Sequence, residues 1–205
     1  MKTLLLALLA VYSLFITNLN PDTKKYSYAL DTEKSVVEWH GAGPGASHQG
    51  SFGVISQGME VADGTIKGGS FVIPIASIKN FDLPKTIKPV LLKHLKSSDF
   101  FNAALYPEAT FTITRVEPLT YAAAGAVAGA NVLVTGDFTM IGQTHSISFP
   151  ANINLQGETL AVEATFKLDR TRWGMTYAAE PALKKRHIYP EVDIHLKLAG
   201  IKNEG

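Results

Sequence analysis

Six histidines, His40, His48, His94, His145, His187 and His195, are the first residues to test for chemistry. None pairs with another at the i,i+4 spacing that would aim two rings from one helix at a metal. Asp193 and His195 share one strand face, but it is the polar face, and a metal centre needs three or more converging ligands. Glu38 and His40 stand two apart and could form an acid–base pair. They alternate with Val37 and Trp39, which turns them toward solvent. There is no Gly-x-Ser-x-Gly elbow, and nothing pairs a serine with a histidine and an acid. The glycine-rich run Gly43–Gly50 (GPGASHQG) lacks the Gly-Lys-Ser/Thr ending of a phosphate loop and opens no helix, so it reads as a turn. Without cysteine there is no disulfide, zinc thiolate or thiol nucleophile. Binding is therefore the leading chemistry and no cofactor is expected. An enzyme using Glu38, His40 or His94 is the competing reading.

The aromatic residues point to a container. Trp39, Phe52, Phe71, Phe111, Phe138, Phe166 and Trp173 are spread over the chain, and where the alternation is clean they fall on the apolar face. Inward rings of this size either fill a small barrel or line the cavity of a wider one. The sequence leaves both open. The main polar feature is the set Lys85, Lys88, Lys93, His94 and Lys96 around one amphipathic segment. It is either a solvated helix face or a cationic rim for an anionic head group or membrane surface.

The elements that would hold these residues are almost all strands. Val192, Ile194, Leu196 and Leu198 alternate with Glu191, Asp193, His195 and Lys197, and the run from Val162 to Asp169 does the same. Asp63-Gly64 predicts a hairpin between Gly50–Val61 and Thr65–Pro74. Gly142-Gln143 divides Asn131–Ile141 from Thr144–Leu155, and Gln156-Gly157 divides the latter from Thr159–Asp169. Such a run of hairpins is an antiparallel meander, which at this length closes to remove its edges. The segment Lys88–Lys96 breaks the pattern: Leu91, Leu92 and Leu95 share a helical face, and Pro89 suits a first turn. Thr120–Ala130 reads as a flexible Ala/Gly-rich insertion. Trp173–Tyr189 reads as irregular and too polar for a core strand.

A length of 205 residues suits one β-domain with no linker or internal repeat. The 46% hydrophobic content and balance of 19 basic against 18 acidic residues argue against disorder and against a nucleic-acid binder. Lys2 followed by the apolar run Leu4–Ile16 has the arrangement of a secretory signal peptide. At about 1.5 Å per residue the run reaches roughly 20 Å, short of a ~30 Å hydrocarbon core, which makes an uncleaved anchor the lesser reading. Residues 1–20 are thus expected to be removed, leaving 21–205 as a periplasmic or secreted domain. With 18 charges of each sign, electrostatic steering is not expected to dominate its partner choice.

Several motifs resemble one family. The run His94-Leu-Lys-Ser-Ser-Asp-Phe-Phe101, continuing Tyr106-Pro-x-Ala-Thr-Phe111, resembles the most characteristic stretch of the YceI-like family. Tyr28-x-Leu-Asp31, Ser35-x-Val-x-Trp39, Gly50-x-Phe52, Gly136-Asp-Phe-Thr-Met-x-Gly142 and Arg170-x-x-Trp-Gly-Met175 agree with it, from about Tyr26 to Leu198. The resemblance implies an elongated lipocalin-like antiparallel β-barrel of about eight strands, exported, with a cavity for a long-chain amphiphile. Polyisoprenoids such as isoprenoid quinones or polyprenyl phosphates, and fatty acids or amides, are the ligand types it implies. The chain departs from the family in Thr120–Ala130 and after Trp173.

On this reading Trp39, Phe52, Phe71, Phe111, Phe138, Phe166 and Trp173 line a tunnel. Leu91, Leu95, Phe100 and Phe101 flank it, and His94 or Arg172 faces the head group. Ten buried methylenes offer a gross ~8 kcal/mol, against association costs of about 4–15 kcal/mol, so a long chain is required. A transient membrane contact and a homodimer through exposed strands are the partner expectations. A packed barrel with no internal ligand is the third reading.

Overall fold

The computed structural model describes residues 25–121 and 123–203. The alternating rows become strands with their apolar members inward: Leu160, Val162 and Ala164 are buried while Ala161 and Glu163 between them are exposed. In chain order the strands are β1 (Lys25–Leu30), β2 (Val36–Ala42), β3 (Ser47–Gly53), β4 (Ile55–Ala62), β5 (Thr65–Pro74) and β6 (Lys79–Asn80). Helix α1 (Lys88–Lys96) follows, then β7 (Glu108–Pro118), β8 (Val132–Met140), β9 (Gln143–Gln156), β10 (Thr159–Asp169) and β11 (Glu191–Lys202).

All neighbouring strands pair antiparallel, in the order β1-β4-β5-β7-β8-β9-β10-β11-β2-β3-β6, and β11 also pairs with β1. The seam explains the closure. Gly200–Lys202 of β11 pair with Leu30–Tyr28 of β1, whereas Val192–Lys197 pair with Gly41–Val36 of β2. β1 and β2 are thus two halves of one stave. β3 and β4, separated at Val54, are likewise halves of the next, because β3 pairs with β2 and β4 with β1. Counted this way, eight staves close the barrel. Where the ladder is interrupted, buried Ser35 takes its place: its Oγ accepts from Ala199 N–H and donates to Ala199 O.

Three sequence boundaries shift. Gly50–Val61, read as one strand, divides at Val54 so that its halves can serve different partners. The hairpin at Asp63-Gly64 forms as read, with φ of 53° and 69°. The next turn falls on Ile141-Gly142 rather than Gly142-Gln143, because Met140 pairs with Gln143. The third falls on Gly157-Glu158, with Gln156 paired to Thr159. Helix α1 occupies the nine residues expected, with proline in its first turn.

The insertion 120–130 is not a free loop. Thr165 donates to Gly125 O at 2.7 Å and Asn152 to Ala128 O at 3.2 Å, pinning it to the outer face of β9 and β10. Residues 173–189 form no strand, as expected, but they do contribute to the core. Trp173 is fully buried and Met175 nearly so, beside short 3₁₀ turns at Arg170–Trp173 and Pro181–Arg186.

Side chains pack in two clusters. One, around Tyr28, Met59, Val61, Ile66 and Leu160, closes the end remote from α1. The other, around Phe52, Ile75, Ile78, Phe100, Met140 and Trp173, lies under α1 and the segment that follows it. The space between them is not filled.

Candidate functional site

Strand register sets one wall of this space. Phe71 on β5 stands opposite Phe111 on β7, which stands opposite Phe138 on β8, so neighbouring staves carry a rung of rings on the inner face. Phe149 on β9 and Phe166 on β10 extend the wall, stacked 4.4 Å apart and nearly parallel. Phe149 also lies 5.7 Å from Phe111. Aromatic and β-branched side chains suit this pleated inner surface because they cover large areas with few rotatable bonds.

The rings enclose a cavity with about 260 Å³ reachable by the centre of a water molecule. Its wall is almost wholly apolar and runs from Ile66, Val134 and Leu198 at the remote end to Leu91, Leu95, Arg170, Met175 and Ile188 at the helix end. The remote residues are buried, whereas Gly41, His48, Leu91 and Leu95 are partly exposed. The helix end thus brings lining residues toward solvent.

Ten of the expected lining residues stand around this cavity: Trp39, Phe52, Phe71, Leu91, Leu95, Phe100, Phe101, Phe111, Phe138 and Phe166. Three of the expected site residues do not. Trp173 lies behind the wall, fully buried, with its indole Nε1 donating to Phe138 O at 3.1 Å. It supports Phe138 rather than lining the space. His94 is turned out of the cavity, its Nε2 2.9 Å from Asp99 Oδ2 and its ring edge-on to Phe100 and Tyr177. Arg172 projects outward over Trp173, 5.2 Å from the ring.

Phe149 and Arg170 are among the cavity residues that the sequence pattern does not name as lining. Phe149 carries the signal of alternation with Ile147, Ala151 and Ile153. Arg170 carries no such signal, since an arginine ordinarily reads as exposed. It is 3% exposed and lines the helix end of the cavity. Its Nε donates to Tyr189 O and its Nη2 to Tyr177 O and Ile188 O, both of the latter at 3.0 Å, while Nη1 donates to Met175 O. Four carbonyls of the covering segment thus converge on one planar fork, a geometry a lysine cannot supply. Burial pushes the guanidinium pKa down, and Asp169 and Glu180 partly offset that. An arginine nonetheless stays charged at neutral pH. Trp39, also in the lining, has its indole Nε1 buried without a hydrogen-bond partner.

His48, at the helix end of the cavity, pairs with Asp82 at 2.8 Å, whereas the acid–base pairs expected of Glu38 and His40 stand elsewhere. Glu38 and His195 are 3.2 Å apart, His195 is 2.7 Å from Glu163, and His40 is 3.2 Å from Asp193, all on the outer face of β2, β10 and β11. Lys197 and Lys167 complete this ladder of exposed charge pairs. Among the described residues no three potential ligands converge on a point.

A sequence profile of the YceI-like domain matches residues 28–199. Protein YceI of Escherichia coli is 39% identical over 66 residues, 32% of this chain and 30% of that protein. The UPF0312 protein Ent638_1570 of Enterobacter sp. is 27% identical over 118 residues, 55% and 54% of the two chains. The chain thus aligns with about a third to a half of the length of these curated relatives. Among solved structures, a polyisoprenoid-binding domain from Saccharophagus degradans superposes with a TM-score of 0.62 at 17% identity, covering 87% of this chain and 99% of its own. Burkholderia cenocepacia BcnA superposes at 0.58 with 20% identity, covering 83% and 98%. At such identities the likeness is one of fold.

Proposed function

The chain belongs to the YceI-like family, and from that premise we propose that it is an exported carrier or store of a long-chain amphiphile whose tail lies in the barrel. The carrying observation is the apolar cavity between the two packed clusters. A wall of rings with almost no polar atoms selects for an aliphatic or isoprenoid tail and against sugars, nucleotides or peptides, whose polar groups would be buried unpaired. Discrimination between tails that differ by one methylene is worth about 1–3 kcal/mol, so the site reads chain character more than chain identity. Similarity to a polyisoprenoid-binding domain supports an isoprenoid quinone or polyprenyl phosphate as the ligand class, with fatty acids or amides next.

Export rests on Lys2 and the apolar run Leu4–Ile16, which lie outside the described residues. No helix among the described residues is long and apolar enough to cross a membrane. Glu38 and His40, the acid–base groups of the competing enzyme reading, pair on the outer face away from the cavity, which favours binding over turnover.

The test is native mass spectrometry and solvent extraction of the chain purified from its own cells, followed by delipidation and rebinding. A bound lipid with a tail of ten or more carbons is expected. A lipid-free protein that also refuses added fatty acids, quinones and polyprenyl phosphates would overturn the reading.

A further inference from the structure

The near-neutral net charge of this chain conceals an uneven distribution along the barrel. The two segments that cover the helix end, residues 79–107 and 170–190, hold ten Lys and Arg against three Asp and Glu. The rest of the described chain holds seven against thirteen. The two covering segments touch, since the His94 ring lies 4.9 Å and the Phe100 ring 5.3 Å from Tyr177, so both cover the same end of the barrel. Among their acids Asp82 and Asp99 are already engaged by His48 and His94, and Glu180 is the remaining one. The near-balance of the composition therefore does not describe how the charges are distributed. Even with the flanking Glu108, Asp169 and Glu191 counted at the same end, ten basic residues stand there against six acidic, so folding leaves this end net cationic in a chain whose charges nearly cancel.

The same face carries bare apolar side chains. Val90 is 68% and Leu105 70% exposed, and Ile87 and Phe81 are more than half exposed. On α1 the division is clear: Leu91 and Leu95 line the cavity, whereas Lys85, Lys88, Pro89, Leu92, Lys93 and Lys96 border a shallow outward groove. Exposed apolar residues interleaved with lysines are the composition of a surface that lies in a lipid interface, with the chains reaching the acyl boundary and the ammonium groups meeting phosphates. An acidic protein would complement the charge but leave Val90 and Leu105 without a reason to be bare.

We propose that this helix end docks on the surface of an anionic phospholipid leaflet, presenting the end at which Gly41, His48, Leu91 and Leu95 of the cavity lining are partly exposed. Attraction is carried by Lys85, Lys88, Lys93 and the Lys184-Lys185-Arg186 run, and shallow insertion by Ile87, Val90 and Leu105. Glu60, Asp63, Glu117 and Glu158, at the remote ends of their strands, are repelled by the same leaflet and so favour an end-on approach. The inference goes beyond ligand binding in the cavity and does not require a ligand there.

Vesicles of phosphatidylcholine alone and of phosphatidylcholine mixed with phosphatidylglycerol, whose negative surface attracts polybasic segments, provide the test. The full chain is compared by flotation with K85E/K88E/K93E and with a body control, K25E/K34E/K67E. Each basic group near an anionic surface strengthens binding about five-fold, so the first variant should lose about a hundred-fold on the anionic vesicles. The control should bind as well as the parent chain, and binding should fall steeply with salt. V90S/L105S, with charges intact, should weaken binding without abolishing it. Equal binding to both vesicles, equal loss in both charge variants, or no loss in either would overturn the proposal. So would capture by polyglutamate together with indifference to anionic vesicles, which would reassign the face to an acidic protein. Should K85E/K88E/K93E fail to fold, K85Q/K88Q/K93Q and the salt titration of the parent chain decide between the same outcomes.

Discussion

The ring of Phe111 occupies the place that a side chain on Gly136 would take. A Cβ there would stand within 2.6 Å of the ring's Cε2 and 2.5 Å of Thr112 O. Gly136 is paired with Ile113 and Ile147 on the inner face of β8, so the missing side chain leaves room for Phe111 to lie against the wall. The glycine in the Gly136-Asp137-Phe138 motif is thus explained by a ring on the neighbouring strand.

Gly136→Ala should therefore force Phe111 off the wall and into the cavity. Overpacking of this kind costs about 1–3 kcal/mol, which urea unfolding would read as a lower midpoint with unchanged slope. Lipid content after purification should fall with it. A variant as stable as the parent chain, with full lipid content, would show that the glycine has no part in shaping the cavity.

Ile147→Trp and Phe149→Ala should separate cavity from core. Ile147 lines the cavity, so a tryptophan there has empty space to enter and should displace lipid at little cost in stability. Phe149 is buried and stacked on Phe166, and its truncation should cost about 3–5 kcal/mol while enlarging the space. Measuring unfolding and extractable lipid for both checks the pair of outcomes.

Arg170→Met would leave four carbonyls facing a dry interior without their donor. Each unsatisfied buried group costs about 1–3 kcal/mol, a serious fraction of the roughly 5–15 kcal/mol that holds a domain together. Arg170→Lys should recover little, because a compact ammonium cannot span carbonyls that a planar fork reaches. Hydrogen exchange over residues 175–189 should rise first, ahead of the barrel strands.

Acid should loosen the junction of β3 with β6 through Asp82. Burial pushes its carboxyl upward, but the Gln49 N–H, His48 and Asn80 bonds outweigh that and hold its pKa down to about 2. A carboxyl depressed from its ordinary value near 4 contributes stability that is complete above that value. The contribution disappears as pH falls from about 4 through about 2. Asp82→Asn lacks it, so the difference in Tm between parent chain and variant should shrink across that window. A difference that stays constant down to pH 2 would contradict the assignment.

Most of the barrel is legible in the sequence because a half-buried strand needs alternation, and alternation is visible in one dimension. Rows such as Val192–Leu198 on β11 name their inner face directly, and ten of the eleven expected lining residues stand at the cavity. Trp173 departs because its segment has no period to give its direction, so an aromatic there could be lining or support. The turn at Ile141-Gly142 lies one residue from its expected place because local preference disfavours isoleucine at positive φ. Keeping Phe138 and Met140 on the inner face requires that register, and the interior outweighs the turn. Arg170 belongs to a recognisable motif, yet its burial depends on how the irregular segment after it folds back to bring the Met175, Tyr177, Ile188 and Tyr189 carbonyls together, which no local pattern shows.

The class of fold, the inward rows and the α1 boundaries are properties of the linear chain, since each follows from the spacing of apolar residues along a single element. Whether the inward rings meet or stand apart is settled only when the sheet closes, because cavity volume depends on how eight staves tilt and stagger around a circle. The same holds for charge. Composition counts signs, but folding places residues 79–107 and 170–190 at one end, and only their proximity gives a near-neutral chain a net cationic end.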